Sequence, residues 1–220
     1  MAVSTIKTTN TLDKGLILAP ERYHPGRNLK YETGVKTVTL NDLVNISNKT
    51  FTKKDVKTNN DELYLINTGD VSEGKIVGNK ELIDDIKSSK KIINPGDVII
   101  SRLRPYLRQV AYVDNILEKD NVTYLASTEF YVLKPIELNK SIAFLVPFLL
   151  SKPVQEVFAN AVEGSQHPRF NLDVLMSLEI PFEIVQNSTK ISNQVLSSIK
   201  DYRSYEKKIK GCIDYLNELI

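Results

Sequence analysis

A helical stripe in the last thirty residues narrows the possible folds of this chain most. Between Ile191 and Ile220, apolar or aromatic side chains recur with alternating gaps of four and three: Ile191, Val195, Ser198, Tyr202, Tyr205, Ile209, Cys212, Leu216 and Leu219. Only Ser198 breaks the apolar set. Such spacing is a heptad seam, which keeps one face of a helix against a partner helix. Ile199, Ile213 and Ile220 each follow a seam position and widen the stripe, which suits a small bundle as well as a two-stranded coil. The segment has no proline, and its single glycine, Gly211, costs about 1 kcal/mol. The helix should be roughly 40–45 Å long. Two readings follow: the helix folds back on its own domain, or it projects as a rigid arm, since nothing after it covers the stripe. The arm is the sharper expectation.

Before the stripe there is room for one domain of ordinary size. Of the 220 residues, 41% are hydrophobic and 25% charged, ordinary values for a globular chain with a core to bury. The one cysteine, Cys212, rules out a disulfide within the chain and fits a reducing compartment. No apolar signal region opens the sequence, and the longest apolar run, Ile142 to Leu150, is too short to span a bilayer. A cytoplasmic protein is expected. A net charge of +2 is low for a chain that binds only phosphate, but the cations are grouped. Lys53, Lys54 and Lys57 form one cluster, Lys87, Lys90 and Lys91 a second, and Arg102, Arg104 and Arg108 a third. Each alone suits a solvated surface; three in one domain suit a polyanion.

In chain order, residues 1–30 read as an extended lead-in punctuated by Pro20 and Pro25. The globular part begins near Val35, with Val38, Leu40, Leu43 and Val44 as core candidates and a short helix or turn at Asn41-Asp42. Phe51 to Glu62, rich in Lys, Asn and Asp, reads as a surface loop. Strands are predicted at Leu63–Asn67, Ile76–Val77, Val98–Ser101, Val110–Val113, Tyr124–Ser127 and Glu129–Leu133. Asn94-Pro95-Gly96-Asp97 is a strong turn, because Pro fixes one φ and Gly permits a positive one. The chain then turns helical. Asn139 or Ser141 is expected to cap a helix through Leu150, Pro153 to open another running to about Val162, and Asn171 or Asp173 to cap a third. The class is α+β.

No catalytic constellation can be assembled. Both histidines, His24 and His167, stand in loops beside prolines, without zinc-ligand spacing. Phosphate-binding glycine loops and a Gly-x-Ser-x-Gly elbow are absent. Asn94-Pro95-Gly96-Asp97 lacks the second proline and the aromatic of the Asn-Pro-Pro-aromatic motif of amino-methylating enzymes. No cofactor or metal is called for. What remains are loops of Arg, Gln, Tyr and His, side chains that read base edges or stack on bases, with lysines to hold phosphates. Arg102, Arg104, Tyr106, Arg108 and Gln109 form the first candidate loop, and Gln166, His167 and Arg169 the second. Lys53, Lys54, Lys90 and Lys91 are the backbone-holding candidates. For the arginines, ion pairing with surface Glu and Asp is the competing reading.

Several segments, in order, resemble the specificity subunits of type I restriction-modification systems. They are Leu18-Ala19-Pro20-Glu21-Arg22-Tyr23-His24-Pro25, Val38-Thr39-Leu40-Asn41-Asp42-Leu43 and Tyr64-Leu65-Ile66-Asn67-Thr68-Gly69-Asp70-Val71. Ile93-Asn94-Pro95-Gly96-Asp97-Val98-Ile99-Ile100-Ser101-Arg102 is the strongest. Glu129-Phe130-Tyr131-Val132-Leu133-Lys134-Pro135, Gly164-Ser165-Gln166-His167-Pro168-Arg169, Leu178-Glu179-Ile180-Pro181 and Lys190-Ile191 complete the series. Order and spacing carry the likeness more than any one piece.

The resemblance implies a mixed β-sheet target recognition domain, residues 31–185, followed by a coiled-coil spacer helix, residues 186–220. It implies a subunit without catalytic activity, which tells methyltransferase and restriction subunits where on double-stranded DNA to act. The family commonly places a Gln just before the helix. Here Ser188 stands near that position and Gln186 is displaced, so no role is carried over for it. Family members usually hold two recognition domains and two antiparallel helices, and this sequence has one of each. A second copy would supply the missing partner for the seam, through Ile191, Val195, Tyr202, Tyr205, Ile209, Cys212, Leu216 and Leu219. Two readers on a ~40 Å ruler, against roughly 34–36 Å per turn of duplex, would meet a bipartite site with an unread gap. Pairing with a different half would give an asymmetric site. An interaction adaptor with merely solvated basic loops is the alternative from another class.

Overall fold

The computed structural model describes residues 25–77, 82–117, 120–164 and 166–219. The segment Leu18–His24, Ser165 and Ile220 lie outside these. Among the described residues the strands are short: β1 (Thr37–Thr39), β2 (Val44–Ile46), β3 (Thr50–Phe51), β4 (Glu62–Ile66), β5 (Val71–Ser72), β6 (Lys75–Ile76) and β7 (Leu82–Ile83). They continue as β8 (Lys90–Ile92), β9 (Val98–Ser101), β10 (Val110–Tyr112), β11 (Val122–Ala126), β12 (Phe130–Pro135) and β13 (Glu179–Pro181). Helices are α1 (Lys53–Val56), α2 (Leu145–Leu150), α3 (Lys152–Asn160), α4 (Leu172–Met176), α5 (Phe182–Gln186) and the long α6 (Ser188–Leu219).

Three layers result. An antiparallel sheet ordered β10-β9-β12-β2 lies in the middle. Strands β9 and β12 are apolar on both faces, and the period of two sorts their side chains into separate cores. Val98, Ile100, Tyr131 and Leu133 face a core shared with α2, α3 and α4, while Ile99, Phe130 and Val132 face Tyr64, Ile66, Tyr124 and Ala126. Those last residues belong to a mixed sheet ordered β3-β8-β11-β4-β7, in which only β11 and β4 run parallel. Its outer face is covered by a smaller cluster of Phe51, Leu63, Ile86 and Leu125. The expected mixed-sheet α+β class is the one observed. Strand β1 pairs with β13, so the start and end of the domain are stitched together at Thr37–Pro181.

Two local expectations are corrected. The segment after Phe51 is no plain loop: Thr52 caps α1, its N–H and Oγ1 both donating to Asp55 Oδ2, at 2.6 and 2.7 Å. The helix expected from Asn139 or Ser141 begins only at Leu145. Its entry is held from outside instead, for Phe144 N–H donates to Ser192 Oγ at 3.1 Å, and Ser192 Oγ donates to the Ser141 carbonyl at 3.3 Å. Those backbone groups are satisfied by α6 and need no earlier helical turn.

Helix α6 has 32 residues, about 48 Å of length, and divides the two readings of the stripe between its halves. Ile191 and Val195 pack against the helical core, Ile199 is buried, and Ser192 is sealed against the entry to α2. From Lys207 onward every described residue is exposed, including Ile209, Cys212, Leu216 and Leu219. Ile191 and Val195, expected as seam residues, are half-buried against their own domain. The second half remains a projecting arm. No described helix is long and apolar enough to cross a membrane.

Candidate nucleic-acid interface

The loop between β9 and β10 is closed at its base by Ser101 N–H donating to the Gln109 carbonyl at 2.9 Å. Ser101 Oγ accepts from Leu103 N–H at 3.2 Å, which turns the chain out of the sheet. Pro105–Leu107 is a single 3-10 turn flanked by two left-handed residues, Arg104 at φ 48° and Arg108 at φ 54°. Non-glycine residues resist that region at a cost of order 1 kcal/mol each, and such strain gathers where a loop must hold one shape. The turn presents Tyr106, 65% exposed, and Leu107.

Sixty residues later, Glu163 and Arg169 exchange backbone hydrogen bonds of 2.8 and 3.0 Å, forming a small hairpin with Gln166 and His167 exposed at its tip. The two loops are clasped. Arg104 N–H donates to the Pro168 carbonyl at 2.8 Å, and Phe170 N–H donates to the Arg102 carbonyl at 3.1 Å.

Glu129, which leads into β12, locks the clasp. Its Oε2 accepts from Arg102 Nε at 3.0 Å and from Arg169 Nε at 2.9 Å, and its Oε1 accepts from Arg169 Nη2 at 2.7 Å. The Arg169 bonds, with those of Arg102, outweigh the cost of burial and hold its carboxyl down at about 2. Lys91 stands nearby, its ammonium 5.8 Å from the Tyr131 ring centroid, and burial and the Arg102 charge lower its pKa. Arg108 is anchored elsewhere, with Nη2 donating to the Leu150 carbonyl at 3.1 Å and Nε 3.3 Å from Glu73.

The candidates thus fall into three sets. Arg102, Arg108 and Arg169 are held by ion pairs, as the competing reading had it, although Arg102 and Arg169 each leave 38% of the side chain exposed. Arg104, Tyr106, Gln109, Gln166 and His167 carry no internal side-chain hydrogen bond or ion pair among the described residues. Lys53, Lys54 and Lys90 are not joined to the clasp. Lys90 donates to Ser88 Oγ at 3.1 Å, and the other two open α1 beyond β3. Sequence reasoning missed Glu129 as a site residue. An acid opening a strand, 27 positions from Arg102 and 40 from Arg169, gives no local sign of its partners. Among the described residues no cluster of His, Cys, Asp or Glu could hold a metal ion.

The Glu129 arrangement makes a pH prediction. Its carboxyl titrates at about 2 in the fold against an ordinary 4.5, so the ionised group stabilises the protein at pH values above about 4.5. That contribution fades as pH falls toward 2. A difference of this size corresponds to roughly 3 kcal/mol. With 21% of the side chain exposed, a net loss of about 2 kcal/mol is expected for Glu129→Gln at pH 7. Melting should fall by about 4–8 °C, and the acid-side decline between pH 5 and 2 should flatten. Equal melting of variant and parent at both ends of that range would remove Glu129 from this role.

The architecture is that of an α+β domain carried on a long helical arm. More particularly, the chain belongs to the type I restriction modification DNA specificity domain family, whose profile matches residues 32–210. The type I restriction enzyme HindI specificity subunit of Haemophilus influenzae is 31% identical over 167 residues, covering 72% of this chain and 34% of its own. Two solved structures share the fold at 20% identity, each over 85% of this chain and 48% of theirs. One, at a TM-score of 0.55, comes from work on complex assembly and conformational transition of the type I R-M system. The other, at 0.52, is the HsdS subunit from Thermoanaerobacter tengcongensis. The chain spans about a third of the curated relative and about half of each solved chain.

Proposed function

We propose that this chain is a non-catalytic DNA-reading unit of a type I restriction-modification complex, which directs methyltransferase and restriction subunits to a bipartite site. Residues 31–185 read one half-site and residues 186–220 form the spacer. The observation that carries this reading is the clasp: two loops far apart in sequence share one surface, and its free side chains are suited to bases. Arg104, Gln109 and Gln166 can pair with base edges, Tyr106 can stack or wedge, and the exposed edges of Arg102 and Arg169 lie beside them. Lys53, Lys54 and Lys90 serve phosphates at most, away from the reading tip, and Lys91 can do so beside the clasp.

Pairing with a second copy is supported by the uncovered half of α6. Tyr205, Ile209, Cys212, Leu216 and Leu219 are exposed there, with Ile213 beside them, and Tyr202 marks where the cover ends. An identical stripe on a twofold mate would bury them.

Selection from a randomised duplex pool, with the cognate methyltransferase subunit present, tests the whole reading. A gapped palindrome is the expected product; a gapped asymmetric motif would replace the second copy with a different half. No enrichment at low salt would leave an interaction adaptor. On the selected site, Arg104→Ala should weaken binding about tenfold to a hundredfold and relax base choice at one position, with melting unchanged. Unaltered affinity for both Arg104→Ala and Tyr106→Ala would take the reading tip away from this loop.

A further inference from the structure

An arginine fork grips helix α6 at the outer end of its docked half. The Arg203 guanidinium grips Asp114 with two parallel bonds, Nε to Oδ2 at 2.7 Å and Nη2 to Oδ1 at 2.9 Å, and holds Glu206 through Nη1 at 2.7 Å. The Arg203 and Asp114 side chains are 13% and 16% exposed. Arg203 lies at the outer end of the docked half of the helix, just before the stretch from Lys207 onward in which every described residue is exposed. Just before Arg203, Tyr202 lies 5.0 Å from Lys75 of the β5–β6 hairpin.

The far end of the grip is stiff. Asp114 follows Val113, fully buried, whose N–H donates to the Asp97 carbonyl at 2.8 Å. Ile116, also buried, donates its N–H to the Asp114 carbonyl at 3.0 Å. A buried charge pair adds little stability against an apolar replacement, and its best-attested use is to fix one arrangement among several. The planar fork of arginine fixes direction as well as distance.

We propose that Arg203 is the positioning residue that sets the angle of α6 to the domain, and thereby the number of unread base pairs between half-sites. This rests on the bipartite-site reading above. Leverage makes the angle matter: from Arg203 to Leu219 the arm is about 24 Å long. A tilt of about 8° moves its tip by about 3.4 Å, the rise of one base pair. The Ser192 hydrogen bonds fix the helix near its inner end only, and the apolar contacts at Ile191, Val195 and Ile199 are non-directional, so a second directional hold is needed to fix the tilt. The fork at Arg203 supplies it.

Two measurements separate this from its premise. Spin labels at Lys152→Cys and Asp214→Cys, in a Cys212→Ser background and diluted in unlabelled protein, report the angle without DNA. A narrow distance distribution is expected, broadened or displaced by Arg203→Met and partly restored with Arg203→Lys. An unchanged distribution for both Arg203→Met and Asp114→Asn would overturn the clamp. In pool selection with variable gaps, Arg203→Met should keep the half-sites while spreading over two or more gap lengths. An equal loss at every gap, without spreading, would mean a merely structural bond. If the parent protein selects no gapped site, the bipartite reading falls, and with it the gap-setting role; the label distances still decide whether Arg203 fixes the angle. Asp114→Asn keeps the shape of the pair and serves where Arg203→Met does not fold.

Discussion

Phe170→Ala should destabilise the protein by about 3–5 kcal/mol, the range for deleting a buried ring. Phe170 is the residue after Arg169 and lies 1% exposed under the clasped loops. Its ring stacks on Phe158 at a centroid distance of 4.4 Å and meets Tyr131 edge-on at 5.8 Å. Its carbonyl accepts the Tyr131 hydroxyl at 3.1 Å, and its N–H is one of the two backbone bonds joining the loops. Truncation would leave a cavity between α3 and β12 that stacked rings cannot fill by small shifts. For a chain of this size the melting temperature should drop by about 10 °C or more. Binding to the selected site should fall with it, because Arg102 and Arg169 lose their footing together. Arg104→Ala has the opposite profile, losing affinity without stability. A Phe170→Ala variant within about 1 kcal/mol of the parent by chemical denaturation would show that the ring is no support for the clasp.

Strand β9 was legible residue for residue because its apolar run is bounded by a proline-glycine turn and an arginine loop. The two loops that the structure clasps together were both singled out by their side-chain chemistry. What the pattern hid is polar and distant. Glu129 meets Arg102 because β9 and β12 pair with Ser101 opposite Phe130, a register that no local window contains. It meets Arg169 through the hairpin at 163–169. Ser192 and Arg203 decide how much of α6 is docked, yet a count of apolar spacing skips both.

One device was present in the sequence and overlooked. Four times an Asp accepts the backbone N–H of the Thr or Asn three residues before it: Asp42 from Thr39, Asp55 from Thr52, Asp70 from Asn67 and Asp97 from Asn94. Each bond turns the chain sharply at the end of a strand or connection. Read as a recurring signature, it would have found α1 inside the supposed loop after Phe51.

The last of these aspartates is the most buried and should be the most costly to lose. Asp97, with a side chain 5% exposed, holds Lys134 Nζ at 3.0 and 2.9 Å and accepts Asn94 N–H at 2.8 Å. Lys134 belongs to β12 and Asp97 directly precedes β9, so the pair ties the two central strands at the end away from Glu129. Burial pushes the Asp97 carboxyl up from its ordinary value in spite of Lys134, so the pair is held at a desolvation cost. Asp97→Ala removes one partner and should cost about 3–5 kcal/mol, since the Lys134 ammonium loses its counter-charge and the Asn94 N–H its acceptor. Asp97→Asn keeps an acceptor and should cost less. Adding Lys134→Met to Asp97→Ala removes the orphaned charge and should recover at least half of the loss in urea denaturation. Recovery on that scale would make the stranded ammonium the main penalty. A double variant as unstable as Asp97→Ala alone would sink that account, and would assign the carboxylate chiefly to the turn at Asn94.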